Sequence, residues 1–244
     1  YTLSVAYDVT TASFNSNSFS VAGQETVPQD IAFNNDGTKM YITGSTSDSV
    51  HQYTLSVAYD VTTASYDNVT FSVSSQETAS NGLAFNGDGT KMYIVGASGD
   101  DISQYTLSTA YNVATASYDN VTFSVSAQDT GPTSLVFNND GTKMYITGST
   151  SDSVYQYTLS TAYDISTAVY YGINVSVAAQ EISPTGLAFN NDGTKMYIVG
   201  SSSDRVFEYP TFNTTLATIT YPSSVKFSSG TTPTIPEIGE IDTL

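Results

Sequence analysis

The most informative features of the sequence are its absences: it has no cysteine or tryptophan, a single histidine, His51, and six basic residues against 23 acidic ones. Without cysteine there are no disulfides, thiol nucleophiles, zinc–thiolate centres or iron–sulfur clusters, and one histidine cannot build a multi-histidine metal centre. The net charge of −17 argues against nucleic acid and anionic membranes as partners, because both attract a positive surface. No apolar run approaches the roughly 20 residues of a membrane-spanning helix, so direct membrane insertion is not expected.

The surface that this composition implies is polar but sparsely charged. Charged residues make up only 12% of the 244 residues, so Ser, Thr and Asn must supply most of the exposed polar groups. The partners expected of such a surface are cations, neutral ligands or other proteins. The composition favours a virion, extracellular or cell-surface location over that of a cytoplasmic enzyme.

An internal repeat organises most of the chain. The phrase Phe-Asn-x-Asp-Gly-Thr-Lys-Met-Tyr-Ile recurs with a constant step, for example 85 − 33 = 52 residues. Its four copies begin at Phe33, Phe85, Phe137 and Phe189, and Tyr-Thr-Leu-Ser begins with the same step at Tyr1, Tyr53, Tyr105 and Tyr157. A fixed period of this length indicates a repeat architecture in which each unit packs on its neighbours.

Each unit has the pattern of four short strands. In the second unit these are Leu83–Phe85, 91–95, 102–107 and 121–125, and an Asp-Gly turn at 86–90 joins the first two. No segment has sustained helical spacing of apolar residues, so the predicted class is all-β. Four antiparallel strands in a 52-residue unit predict β-propeller blades.

The ends of the repeat region leave the number of blades open. Residues 1–210 are predicted to form the propeller, with repeats 1–52, 53–104, 105–156 and 157–208. The chain starts within a unit, so four blades would close the ring by joining the two ends. Five blades are the alternative, because Val225–Ser228 aligns with Val69–Ser72. The proline-containing tail, 211–244, is then a degenerate closing blade or a linker to another domain.

Two segments resemble known families. The motif Asn-Asp-Gly-Thr-Lys-Met-Tyr-Ile-Thr-Gly at 35–44 resembles the YVTN-type propeller repeat, whose usual form is Pro-Asp-Gly-Thr-Lys-Leu-Tyr-Val-Thr-Asn, and this resemblance implies the propeller fold. The tail from Ala217 to Thr234 resembles a segment near the ends of phage tail-fibre and virion-appendage proteins, with Tyr221 and Phe227 where tryptophan is common. The second resemblance implies a role on a virus particle.

Acidic residues recur between the predicted blades. Each crossing loop carries a Gln–acid pair, and the pairs are Gln24 and Glu25, Gln76 and Glu77, Gln128 and Asp129, and Gln180 and Glu181. Crossing loops converge on one end of a propeller, so the four acids could form an oxygen-only ring for Ca²⁺. Alternatively, each acid caps backbone N–H groups of its own loop while the glutamine ties blades together. No other cofactor is expected.

A second set of acids lies in the loops between the second and third strands. These residues are Asp48, Asp100, Asp101, Asp152 and Asp204, and their loops should open on the same end as the crossing loops. They could bind hydroxyl-rich glycans or divalent ions, or act only as turn residues. His51 stands where other units have Ser103, Tyr155 and Phe207, which favours a tolerated substitution over a catalytic base.

The sequence therefore predicts a binding or structural protein rather than an enzyme. Near-identical repeats give near-identical environments, whereas acid–base catalysis needs groups whose pKa values are pushed apart. The leading hypothesis is a virion or cell-surface propeller, such as a phage tail-fibre component, contacting a host or a neighbouring protein in an assembly that could be oligomeric. The alternative is a secreted bacterial adhesin or lectin-like propeller that binds glycan or calcium.

Overall fold

The computed structural model describes residues 1–211 and shows a four-bladed β-propeller. Three blades have four antiparallel strands, and the fourth has three strands within the described residues. The fold class predicted from the repeat is confirmed. The tail beyond residue 211, including the segment that resembles tail-fibre proteins, lies outside the described residues.

The strands follow the 52-residue step of the sequence. An amino-terminal hairpin consists of β1 (Thr2–Leu3) and β2 (Ala12–Ser13). The first blade contains β3 (Pro28–Phe33), β4 (Lys39–Gly44), β5 (Ser49–Leu55) and β6 (Ala64–Ser72). The second contains β7 (Ser80–Phe85), β8 (Lys91–Gly96), β9 (Asp101–Leu107) and β10 (Ala116–Ser124). The third contains β11 (Pro132–Phe137), β12 (Lys143–Gly148), β13 (Ser153–Leu159) and β14 (Ala168–Ser176), and the fourth contains β15 (Pro184–Phe189), β16 (Lys195–Gly200) and β17 (Val206–Pro210).

The Asp-Gly turn between the first two strands of a blade needs its glycine. In the second blade, Gly89 has a φ of +72°, and a Cβ there would lie 2.2 Å from the ring of Tyr111. The preceding Asp88 accepts a hydrogen bond of 3.0 Å from the backbone N–H of Thr90 and another from its hydroxyl. Only glycine adopts this conformation without strain and also admits the tyrosine ring.

The core lies between the blades rather than within a single sheet. In the first three blades the tyrosine of the second strand packs on the phenylalanine that ends the first strand of the next blade, with centroids 4.7 Å apart for Tyr41 and Phe85 and 4.6 Å for Tyr93 and Phe137. Both tyrosines are fully buried. Blades therefore bury both faces of their inner strands, which explains why these strands lack the polar face of an exposed sheet.

The first strands of successive blades contact one another around the axis. The hydroxyl of Tyr93 donates to the backbone oxygen of Tyr163, and the hydroxyl of Tyr197 in the fourth blade donates in the same way to Tyr7. The two ends of the ring thus meet through side chains, while the hairpin β1–β2 forms a separate two-stranded sheet. No helix of the described residues is long and apolar enough to cross a membrane.

Candidate functional site

The crossing-loop acids are buried and accept hydrogen bonds both from their own loop and from the adjacent loop between the second and third strands. Glu25 is 1% exposed and accepts bonds from the N–H groups of Val27 at 2.8 Å and Ser47 at 3.0 Å, and from the Ser47 hydroxyl at 2.7 Å. Burial alone would raise its pKa, but hydrogen bonds from Val27, Ser47 and Thr46 outweigh burial and lower the pKa to about 2. Glu181 follows the same pattern, with a pKa also lowered to about 2 by Ser202, Ser203 and Ser183 against the effect of burial.

The paired glutamines connect each crossing loop to the third strand of the blade that follows. The hydroxyl of Tyr53 donates to Oε1 of Gln24 at 3.2 Å, and Tyr157 donates to Gln128 at 2.9 Å. The equivalent bonds join Tyr105 to Gln76 and Tyr209 to Gln180. Each glutamine therefore has a structural contact, and ligand binding by these residues stays a prediction.

The second set of acids lies beside the crossing loops, as the sequence predicted. Asp48 has a φ of +46°, and its backbone oxygen accepts a bond from Val73. Burial, followed by the nearby charges of Glu77 and Glu25, raises its pKa. One carboxylate oxygen of Asp48 is buried without a hydrogen-bond partner, as are the equivalent oxygens of Asp100 and Asp152. The fourth copy, Asp204, is exposed.

The expected calcium ring is not a convergent group of ligands. Among residues 1–211, no three Asp, Glu or His side chains come together in a way that could hold a metal ion. The acids of the first, third and fourth crossing loops use both carboxylate oxygens in hydrogen bonds, for instance Asp129 with Gly131 at 2.7 Å and Ser151 at 2.9 Å. In those three loops each acid caps a backbone N–H of its own loop, as the alternative predicted, and it also accepts bonds from serines of the loop between the second and third strands.

His51 is a buried linker between polar side chains. It is 5% exposed, its Nε2 lies 2.9 Å from the hydroxyl of Ser47, and its Nδ1 lies 3.0 Å from that of Thr70. Burial lowers its pKa, and the charge of Glu25 acts in the opposite direction. Its side chain thus has a structural role in the first blade.

A pocket of about 240 Å³ lies at the opposite end, where the Asp-Gly turns meet the axis. The first three blades contribute to it. Its lining consists of aromatic rings, backbone and neutral amides: Ala32, Phe33, Asn35, Phe85, Asn86, Gly87, Tyr111, Phe137, Asn138, Asn139 and Tyr163. None of these residues is acidic, basic or histidine.

Gly87 is the residue that sets this pocket apart from the repeat pattern. The other units have Asn35, Asn139 and Asn191 at its position. The side chain of Asn35 donates a hydrogen bond of 2.6 Å to the backbone oxygen of Gly87, and the side chain of Asn139 donates one of the same length to the backbone oxygen of Asn191. A Cβ at Gly87 would lie 3.3 Å from the hydroxyl of Tyr163, so an asparagine there would extend over that tyrosine. The glycine leaves this space open.

Comparison with known proteins supports the fold and little beyond it. Neither a family model nor a curated protein sequence matches the chain. A protein of unknown function from Desulfotomaculum acetoxidans is 17% identical, with a TM-score of 0.51 over 75% of this chain and 55% of its own. A candidate 6-phosphogluconolactonase from Bacteroides uniformis is 13% identical, with a TM-score of 0.52 over 76% and 53%. A periplasmic gluconolactonase from Pseudomonas aeruginosa is 15% identical, with a TM-score of 0.50 over 74% and 48%.

These similarities correct the functional prediction. The chain spans about half the length of these solved structures, and two of them are described as a candidate 6-phosphogluconolactonase and a gluconolactonase. The prediction of a virion or tail-fibre component is therefore wrong on this comparison, and nothing in it favours adhesion. The chain is a β-propeller repeat protein, as the sequence indicated.

Sequence reasoning missed the pocket because its lining is chemically neutral. The acidic residues and the histidine point to the crossing-loop end, whereas the pocket lies at the turn end. Alignment of the four repeats could have indicated the pocket, because Gly87 stands at a position where the other three repeats have asparagine.

Proposed function

We propose that the chain binds a small, uncharged, hydroxyl-rich ring compound in the central pocket, with a sugar lactone as the leading candidate. The observation that carries this proposal is the opening at Gly87, where three blades present aromatic rings and amides around about 240 Å³. That volume suits a monosaccharide-sized ligand, being at or below the lower end of the range typical of drug-sized sites.

The chemistry of the lining favours a neutral sugar-like ring. The rings of Phe85 and Phe137 offer apolar surface for the C–H face of such a ring, and the amides of Asn35 and Asn139 offer donors and acceptors for its hydroxyls. A phosphorylated sugar is disfavoured, because no lining residue is a cation and the chain carries a net charge of −17. The expected ligand is therefore unphosphorylated.

The lactone class is suggested by two of the similar structures, described as a 6-phosphogluconolactonase candidate and a gluconolactonase. Hydrolysis would need a general base or an activated water within reach of the ring. The lining provides neither an acid nor a histidine. The activity that we propose is accordingly binding, and the expectation that the protein is not an enzyme stays a prediction.

Titration calorimetry with glucono-1,5-lactam, a hydrolytically stable analogue of gluconolactone, tests the proposal. We expect a Kd on the order of 1 mM, because a ligand of about 12 heavy atoms gains only a few kcal/mol in such a site. Gly87→Asn restores the residue of the other repeats and should weaken binding at least about tenfold. Asn191→Gly is the matched control outside the pocket lining and should leave the Kd unchanged.

A hydrolysis assay separates binding from catalysis. The wild-type chain should not accelerate the opening of glucono-δ-lactone, measured by acid release at constant pH. If the wild-type chain accelerates lactone opening and Gly87→Asn does not, the pocket is an active site and the binding proposal is replaced by an enzymatic one. In the calorimetric titration, the proposed ligand site would be contradicted if the wild type did not bind the lactam or if Gly87→Asn bound it with the same affinity.

Three other expectations stay proposals. The YVTN-type assignment is supported by the motif at 35–44 alone. An extracellular location is supported by the composition, with its few charges and many Ser, Thr and Asn residues. An oligomeric assembly stays an expectation.

A further inference from the structure

The second blade departs from the other units at several positions around Glu77. In the first blade the corresponding residues are Pro28, Ser47, Ser49 and His51, whereas the second has Ser80, Gly99, Asp101 and Ser103. Each of these four differences makes the side chain of the second blade smaller or gives it an additional oxygen atom. In a scaffold of near-identical repeats, this concentration of changes beside one carboxylate marks a site that the other blades do not have.

Strand pairing brings these residues together. Gly96 on β8 pairs with Ser80 on β7 and with Asp101 on β9, so the three share one row across the sheet. Directly paired residues point to the same face, with Cβ atoms about 5 Å apart. The carboxyl carbon of Glu77 lies over this row, only 2.3 Å from where a Cβ of Gly96 would be. Ser103 is two residues after Asp101 and faces the same side.

Three buried oxygens at this place have no hydrogen-bond partner in the described structure: Glu77 Oε2, Ser80 Oγ and Ser103 Oγ. Their residues are 2%, 0% and 1% exposed, so bulk water does not reach them. Glu77 uses only Oε1, which accepts bonds from Ala79 at 2.7 Å and from Ser98. Buried polar atoms are satisfied in nearly all native proteins, so a water molecule or an ion is expected to supply partners for these three oxygens.

The first blade shows where the unpartnered oxygen points. There Oε2 of Glu25 is bound by Ser47, whose hydroxyl contacts His51. Gly99 and Ser103 replace that hydroxymethyl group and that ring. Oε2 of Glu77 therefore faces a space that the first blade fills with side chains.

The charge at this space is uncompensated. The carboxylate of Asp101 lies against Gly99, with one oxygen 2.7 Å from where a Cβ of that glycine would be, so it lies beside the position that the Ser47 side chain takes in the first blade. The ion pairs of residues 1–211 join Lys39 to Asp67, Lys91 to Asp119 and Lys195 to Glu208, and none of them involves this cluster. A buried, unpaired carboxylate is costly, and a cation would relieve that cost.

We propose that Glu77, Ser80, Asp101 and Ser103 form a site within the second blade for a hard cation, Ca²⁺. Carboxylate and hydroxyl oxygens are suitable ligands for this ion, and backbone carbonyls and water would complete its shell. With no third acidic group converging, the charge count predicts weak binding, with a Kd of about 0.1–1 mM. The site is separate from the central pocket, and the proposal does not rest on the proposed ligand.

Calcium titration calorimetry on the chelator-treated, intact chain tests this site. The wild type should bind one Ca²⁺, and Glu77→Gln should weaken binding at least about tenfold by removing a carboxylate ligand. The triple variant Gly99→Ser, Asp101→Ser and Ser103→His copies the residues of the first blade, where this combination is fully hydrogen-bonded around Glu25, and it should abolish binding. Glu25→Gln is the same change at a fully hydrogen-bonded acid and should leave the calcium Kd unchanged.

Circular dichroism of each variant shows whether the propeller is retained, and only folded variants enter the comparison. Absence of binding by the wild type up to about 10 mM Ca²⁺, well above the expected Kd, would mean that water alone occupies the site and would overturn the proposal. Unchanged affinity in the triple variant would do the same, because it would place the calcium elsewhere.

Discussion

Replacement of Glu25 by glutamine tests whether the crossing-loop acids hold the blades in place. The change keeps the shape of the side chain but removes the charge that accepts bonds from Val27, Thr46 and Ser47. An amide can satisfy the donors around one oxygen only, which leaves the two Ser47 donors facing an NH₂ group. At about 1–3 kcal/mol for each buried donor without a partner, we expect the free energy of unfolding to fall by about 3 kcal/mol at neutral pH.

The pH dependence gives this prediction a sharper form. The pKa of Glu25 is about 2 in the folded protein, below its ordinary value of 4.5. A lowered folded pKa means that the contribution to stability is complete above the unfolded value and is lost as the pH falls toward the folded value. The difference between wild type and Glu25→Gln should therefore shrink between about pH 5 and pH 2.

Urea denaturation across this pH range measures the difference. Glu77→Gln, studied with chelator present, is the comparison: its Oε2 has no partner, so the loss should be about 1 kcal/mol. If the stability loss of Glu25→Gln is independent of pH, or smaller than that of Glu77→Gln, the hydrogen bonds to the Glu25 carboxylate do not stabilise the blades.

Two further predictions concern the turns and the contacts between blades. Gly89→Ala should cost more than about 2 kcal/mol of stability, because its Cβ would meet the Tyr111 ring. Gly193 has nearly the same positive φ, and no residue of the described part of the chain lies within 4 Å of its Cβ position, so Gly193→Ala should cost about 1 kcal/mol. Thermal unfolding compares the pair, and equal losses would show that the ring contact is irrelevant. Tyr93→Phe should lower the free energy of unfolding by about 1 kcal/mol through loss of its bond to Tyr163, and a neutral result in urea denaturation would exclude a role for that bond.

The repeat made the fold predictable, because a constant step places equivalent residues in equivalent positions. The Asp-Gly turn and the strand after it appear in all four blades at the predicted places. The proximity of Glu25 to the loop containing Asp48 also followed from propeller geometry, as the bonds from Ser47 show.

The candidate sites were harder to predict, because they depend on exceptions to the repeat. Whether a departure such as Gly87 or Ser103 matters depends on what surrounds it, and only strand register and inter-blade packing show this. Gly87 matters because it lies beside Tyr163 in the lining of the pocket, and Ser103 because strand register places it on the same side of the sheet as Asp101. Acidic residues were instead the more visible signal, yet in three of four crossing loops they are fully used in hydrogen bonds.

The central claim is that Gly87 opens a ligand pocket in an otherwise repeated scaffold. Parallel titration of the wild type and Gly87→Asn with glucono-1,5-lactam tests it most directly. The claim predicts measurable binding by the wild type and at least about a tenfold loss in the variant, with Asn191→Gly unchanged. Equal affinity in the wild type and Gly87→Asn, or no binding by either, would contradict it.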